Sequence, residues 1–198
     1  MSIGVYIGRF QPFHNGHAAV LRRALGKFDR VVVLLGSSQE KETLRNPFSW
    51  GERADMIGNT FPDEWSFTRS GPGRLFIAPV EDCPDDNGIW VHRVTSFIGA
   101  HRALTGDDDV KLVGYDKDAS SFYLKLLPWP LHIDAEPTRT EDGNVLGSTQ
   151  IRKLWLDGDL SFEKYVPFYV AFRLKVHMNH DIYATLIGKR VISERNKK

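Results

Sequence analysis

Two kinds of apolar pattern alternate along the chain. Ile3-Gly4-Val5-Tyr6-Ile7 and Arg30-Val31-Val32-Val33-Leu34-Leu35 are short, continuous and β-branched, which predicts strands buried on both faces. Between them, residues 18–28 place Ala19, Val20, Ala24 and Phe28 on roughly one helical face. The same reading predicts strands at 75–80, 110–114 and 131–133, and helices near 51–60, 89–104, 119–127 and 148–156. Strand and helix in regular alternation predict an α/β fold, a doubly wound parallel sheet covered on both faces. Ligands of such sheets collect beyond the carboxyl ends of the strands, near the switch in strand order. Four stretches follow predicted strand ends, "GRFQPFHNGH", "GSSQEKETLRNPF", "VEDCPDDNGIW" and "GYDKDASSFY", so they should share one face. After Pro167 the segment "FYVAFRLKVHMNHDIYATLIGKRVISERNKK" has helical periodicity and a basic end. It predicts a C-terminal helix packed on the same domain, with a frayed tail.

Composition narrows the function classes. A chain of 198 residues has room for one ordinary domain with a small appendage. With 41% hydrophobic and 26% charged residues it reads as soluble and globular. Lys and Arg number 26 against 25 Asp and Glu, a net charge of +1, which gives no broad case for nucleic acid or an anionic membrane as partner. Cys83 is the sole cysteine, so no internal disulfide can form, as suits a reducing cytoplasm. The first residues lack the order of a signal peptide, and no apolar run is long enough to span a bilayer. A cytoplasmic location is expected.

The candidate chemistry begins at "GRFQPFHNGH", residues 8–17, where a strand should give way to a helix. A helix N-terminus offers unpaired N–H groups and partial positive charge to an anion. Gly8 and Gly16 would let a ligand approach the main chain, and His14 and His17 would project from the first turn toward it. Imidazole donors there suit phosphate oxygens and the charge that develops in phosphoryl transfer. A bare H-x-G-H is equally explained by a helix cap and a half-buried ring. Its place between an N-terminal strand and an amphipathic helix, with Arg9 alongside, favours phosphate. No Walker pattern is present. A second stretch, "GSTQIRKLW" at 147–155, offers Ser148 and Thr149 as N-cap residues and Arg152 one turn into a helix. A guanidinium there presents a planar fork of donors to phosphate. On its own this is an ordinary capped helix; paired with the first stretch it forms the other jaw of a triphosphate clamp.

The ordered pair G-R-F-Q-P-F-H-x-G-H and S-T-x-I-R resembles the adenylyltransferases of the nucleotidyltransferase superfamily with H-x-G-H. The resemblance is strongest to the nicotinamide mononucleotide (NMN) adenylyltransferases of archaea, and to the N-terminal domain of bacterial bifunctional enzymes. "GSSQEKETLRNPFSWGER" (36–53) is similar to their second-strand loop, with Arg45 and an N-P-F turn. "VEDCPDDNGIWVHRV" (80–94) is similar to their acidic loop running into an N-x-x-W helix start. "GYDKDASSFYLKLLP" (114–128) is similar to their G-H-x-K-D-x-S-S-Y-Y-L segment. The likeness spans about residues 3–166. Tyr115 stands where the pattern has His, and Gly147 where many relatives have Ser.

The resemblance implies a Rossmann-like nucleotidyltransferase fold with C-terminal helices: a transferase domain at 1–166, a helical extension at 167–198 and no Nudix domain. It implies that NMN and ATP give NAD and pyrophosphate in NAD biosynthesis. His14 and His17 are carried over to the ATP phosphates and transition state, Arg152 to the β- and γ-phosphates, and Arg9 to the phosphate path between substrates. Gly8, Phe10 and Gly16 go to backbone near the nucleotide, Ser148 and Thr149 to the phosphate side, and Gly114 and Asp116 to adenosine. On the NMN side, Arg45 goes to the phosphate and Trp90 to stacking on the nicotinamide ring. Asn87 goes to the carboxamide, and Asp82 to disfavouring a carboxylate there. Mg²⁺ would bridge phosphate oxygens without a protein ligand. ATP, NMN and NAD are the implied partners, with neither nucleic acid nor membrane; a homo-oligomer is left open. Lys117 and Asp118 are either a solvated pair or part of the adenosine pocket. The run 107–109 reads as a solvated turn, His177 and His180 as structural, and Cys83 as incidental. Rival readings are another adenylyl- or cytidylyltransferase of the superfamily, which the Asn87 and Trp90 pair argues against, and a class I aminoacyl-tRNA synthetase. A non-catalytic NAD- or ATP-sensing regulator is the alternative from a different class.

Overall fold

The computed structural model describes residues 1–65, 73–106, 109–114, 125–132 and 137–196. Its elements run β1 (Ser2–Gly8), α1 (Asn15–Lys27), β2 (Arg30–Leu35), α2 (Trp50–Gly58), α3 (Pro62–Trp65) and β3 (Leu75–Pro79). They continue as α4 (Asn87–Thr105), β4 (Asp109–Val113), β5 (Leu131–His132) and α5 (Ser148–Leu156). A 3₁₀ helix (Leu160–Tyr165), α6 (Phe168–Met178) and α7 (Asp181–Arg195) complete the chain.

Among the described residues the five strands of the sheet pair in parallel, in the order β3-β2-β1-β4-β5. The chain steps outward from β1 through β2 to β3, then returns through α4 to the other side of β1. The order therefore reverses beside β1, the place where ligands of doubly wound sheets bind. Alternate side chains of the strands feed two cores. Tyr6, Val31, Val33, Leu35 and Val113 meet α1, α2, α5 and α6 on one face. Ile3, Val5, Ile7, Val32, Leu34 and Leu112 meet Val94 and Ile98 of α4 on the other. Burial on both faces is why these strands read as unbroken apolar runs. Gly4 interrupts β1 for a packing reason: a Cβ there would lie 2.7 Å from the Phe28 ring.

Several expectations need correction. α1 buries Ala18, Leu21 and Leu25 beside Val20 and Ala24, while Ala19 is only half-buried. Of the helix expected at 119–127, residues 119–124 lie outside the described residues, and Leu126 and Leu127 form a turn. Leu127 precedes Pro128, whose ring disfavours the helical conformation in the residue before it. Ile133, the end of the fifth expected strand, also lies outside, as do 107 and 108. The C-terminal segment is two helices, not one. Asn179 closes α6, and α7 restarts with Asp181 in its first turn, where a carboxylate complements the helix dipole. His177 and His180 flank this break with ring centroids 6.0 Å apart. Among the described residues no helix is long and apolar enough to cross a membrane.

Candidate active site

The H-x-G-H segment forms the N-terminus of α1, and His14 is its N-cap. The His17 backbone N–H donates to His14 Nδ1 at 3.4 Å, and the His14 N–H donates to His17 Nδ1 at 3.3 Å. This reciprocal capping box is built from two imidazoles in place of the usual hydroxyl and carboxylate. A ring whose Nδ1 accepts an N–H carries its proton on Nε2. The capping geometry therefore sets both histidines as neutral Nε2–H donors, stacked with centroids 3.5 Å apart. Phe10 packs edge-on to His17 at 4.8 Å and Phe13 lies beside it at 5.6 Å, fixing the ring from below.

The two glycines serve these rings. A Cβ at Gly8 would sit 2.9 Å from the Phe10 ring, and one at Gly16 would sit 3.0 Å from the His14 ring. Both glycines thus make room for aromatic side chains of this protein, a second use beside the expected one, and Gly8 also lines the cleft. Gly114, at φ +148°, does stand in a glycine-favoured conformation at the end of β4.

Every site residue named above lines one cleft of about 1000 Å³, except Gly16, which lies against His14, and Asp116, Lys117 and Asp118, which fall outside the described residues, as does Tyr115. That volume is at the upper end for ligand clefts, enough for two nucleotides. Three guanidinium groups converge in it. Burial first, then neighbouring Arg9 and Arg45, pulls Arg152 down to about 10. Arg9 is lowered by burial and by Arg45, against the pull of Asp82 and Glu40. Both stay cationic at neutral pH. Among the described residues Arg9 Nη1 is buried without a hydrogen-bond partner, a state that buried donors rarely keep without a ligand.

The second jaw docks directly on the first. Arg152 Nη1 donates to the Gln11 carbonyl at 2.6 Å, and its Nη2 donates to Thr149 Oγ1 at 3.1 Å. Ser148 Oγ donates to the Pro12 carbonyl at 3.0 Å. Neither Ser148 nor Thr149 caps α5, contrary to expectation. The N-cap is Gly147, which supplies no side-chain bond. The head of α5 therefore faces the cleft without a hydroxyl across it, an anion site by backbone geometry.

On the far side, Trp90 is half-buried against the second core and Asn87 is exposed in the first turn of α4. Asp82 is occupied. Its Oδ1 accepts the Ser37 N–H at 3.1 Å and its Oδ2 the Ser37 hydroxyl, tying the ends of β2 and β3 together. Among the described residues no cluster of three His, Cys, Asp or Glu side chains can hold a metal ion.

Sequence reasoning missed two buried polar residues at the cleft, one in its lining and one beneath it. Gln11 exchanges bonds with the Phe48 main chain, donating to its carbonyl at 2.7 Å and accepting its N–H at 3.0 Å. Arg53 is fully buried, and burial lowers it to about 10. A signal existed for Arg53. It lies four positions before Ile57 on the buried stripe of α2, a cation where a hydrophobe belongs.

Comparison with known proteins places this geometry. A profile of the cytidylyltransferase-like family matches residues 5–70. The nicotinamide-nucleotide adenylyltransferase of Archaeoglobus fulgidus is 32% identical over 170 residues, which cover 86% of this chain and 88% of that protein. The nicotinamide/nicotinic acid mononucleotide adenylyltransferase of Acinetobacter baylyi is 30% identical over 185 residues, 93% of this chain and 91% of that protein. The likeness to the nicotinamide-nucleotide adenylyltransferase of Saccharolobus solfataricus is higher, 43%, but over 97 residues, 54% of that protein. Among solved structures, a bifunctional NMN adenylyltransferase/ADP ribose pyrophosphatase from Francisella tularensis matches 99% of this chain with a TM-score of 0.83 and 24% identity. This chain spans 55% of that one, about half its length. The Francisella protein has also been solved with AMP and a Mn ion.

Proposed function

Because the chain belongs to the nicotinamide-nucleotide adenylyltransferase family, we propose that it transfers the adenylyl group of ATP to NMN, giving NAD and pyrophosphate. The observation that carries this reading is the meeting of Arg9, Arg45 and Arg152 at the heads of α1 and α5, with Arg9 Nη1 buried and lacking a partner among the described residues. That is a site built for several phosphates at once.

The 5′-phosphate of NMN is already anionic at neutral pH, so no side-chain nucleophile is needed. Catalysis reduces to alignment and charge neutralisation at the α-phosphorus of ATP. The phosphate oxygen of NMN attacks, and the bond to the β-phosphate oxygen breaks to release pyrophosphate. His14 and His17 donate through Nε2–H to oxygens that gain charge, and as neutral rings they do so without giving up a proton. Arg152, with the head of α5, takes the leaving β- and γ-phosphates. Arg9 lies between the two phosphate sites, and Arg45 takes the phosphate of NMN. Phe10 backbone borders the nucleotide, Gly114 and Asp116 the adenosine. Mg²⁺ would enter as part of the ATP substrate and would supply further positive charge at the phosphates, beside Arg9 and Arg152. The nicotinamide ring, cationic in NMN, stacks on Trp90 and directs its carboxamide to Asn87.

One observation favours a wider substrate range. Both Asp82 oxygens accept from Ser37, which holds them at the strand ends, and nearby Arg9 offsets the charge, so repulsion of a carboxylate is weakened. Nicotinic acid mononucleotide is therefore the second substrate to test. The experiment is an incubation with ATP, Mg²⁺ and either mononucleotide, followed by detection of the dinucleotide and pyrophosphate. A sensing regulator would bind the nucleotides and make neither product.

A further inference from the structure

Arg53 lies under the cleft, not in it. Its Nη1 donates to the Arg9 carbonyl at 2.6 Å and the Gly36 carbonyl at 2.8 Å. Its Nη2 donates to the Ser37 carbonyl at 3.4 Å and its Nε to the Ser49 carbonyl at 3.2 Å. Three of those carbonyls belong to the chain as it leaves β1 and β2, where a negative carbonyl end turned upward would oppose a phosphate.

A trans peptide is planar, so a carbonyl and the N–H that follows it point in opposite directions. Two of the held peptides show the effect. With the Gly36 carbonyl drawn down, the Ser37 N–H reaches Asp82 Oδ1 at 3.1 Å. With the Ser37 carbonyl drawn down, the Ser38 N–H reaches the Val80 carbonyl at 3.2 Å. The third is the Arg9–Phe10 peptide. Phe10 sits at φ +51°, a conformation a phenylalanine does not adopt without support, and it borders the cleft.

We propose that Arg53 is a positioning residue for nucleotidyl transfer: by holding the Arg9 carbonyl from below, it turns the Phe10 N–H up into the cleft as a phosphate donor. This rests on the reading of the cleft as a triphosphate site. The guanidinium fork is required, because an ammonium on a flexible stem cannot span carbonyls that converge from separate loops.

The test uses Arg53→Lys, checked for native packing by near-UV circular dichroism. The kcat/KM for ATP should fall about tenfold or more, while the Kd for NMN moves by less than about twofold. A second measurement needs no change at Arg53. In the unaltered protein, the assigned Phe10 amide 15N–1H resonance should move on adding an imido analogue of ATP. Parental kcat/KM in the Lys variant, or equal loss of ATP and NMN binding, overturns the proposal. An unaltered protein that makes NAD while its Phe10 amide stays still also overturns it, and leaves the transfer reading standing. A protein that neither binds ATP nor makes NAD sinks both.

Discussion

His14 has two duties that substitution can separate. As N-cap it satisfies the His17 N–H; in the proposed reaction its Nε2–H would also donate to phosphate. His14→Ala should cost roughly 1 kcal/mol of stability along with its damage to ATP use, whereas His14→Asn should restore the cap and leave the catalytic defect. Urea unfolding beside steady-state kinetics reads the two effects apart, and an active Asn variant would reduce His14 to a cap. His17→Ala should lower kcat by about a hundredfold or more with the fold intact. Trp90→Ala should weaken NMN binding by about 1–2 kcal/mol and leave ATP binding nearly unchanged, because only the nicotinamide ring gains from the indole face. Calorimetric titration decides this, and equal loss of both ligands would make Trp90 a packing residue. These side chains were legible in the sequence because motif spacing encodes proximity along the chain. The function of Gly16 was not. Its neighbour is an imidazole folded back over the first turn, and only the capping geometry puts it there.

Single residues act through the helices that carry them, and α2 shows how. Both the Ser49 N–H and its hydroxyl donate to Glu52 Oε2, at 2.8 and 2.7 Å, and His177 Nε2 lies 2.8 Å from Oε1. Burial alone would raise this carboxyl, but the bonds from His177 and Ser49 outweigh it and hold the group at about 2 against an ordinary 4.5. The unfolded chain therefore takes up this proton first as pH falls. The stabilisation, on the order of 2–3 kcal/mol, is complete above about pH 4.5 and is lost toward pH 2. Glu52→Gln should flatten the acid side of the stability profile, measured as the urea midpoint between pH 6 and pH 3. An unchanged slope would clear Glu52 of the effect. The helix α2 was readable from its apolar spacing, as were α1, α4 and α5. The four-residue α3 and the 3₁₀ helix were not, since neither is long enough to show a period. The break between α6 and α7 did leave a mark, the polar run Asn179-His180-Asp181, which a reading by helical period alone passes over.

At the scale of the molecule, α6 and α7 clasp the site from behind. Trp155 of α5 donates through Nε1 to the Leu174 carbonyl at 3.0 Å, and Tyr183 donates through its hydroxyl to the Trp155 carbonyl at 2.9 Å. Lys189 of α7 reaches the Glu42 carbonyl at 2.8 Å, on the loop that carries Arg45. Leu186 is the buried residue of α7, so Leu186→Ala should cost about 2–4 kcal/mol in urea unfolding. A much smaller loss would mean that the helix is held by its surface contacts. Alternating patterns told of a parallel sheet but not of its order, because period carries no information on which strands become neighbours. That order has a consequence in time. Arg152 and Gln11, bonded to one another, stand 141 positions apart, and Ser148 and Pro12 stand 136 apart. During synthesis β1 and β2 emerge early, but β1 waits for β4, and the H-N-G-H turn waits longer still for the opposing jaw. A ribosome that stops between residues 132 and 152 releases a polypeptide with every strand of the sheet but without the Arg152 side of the cleft.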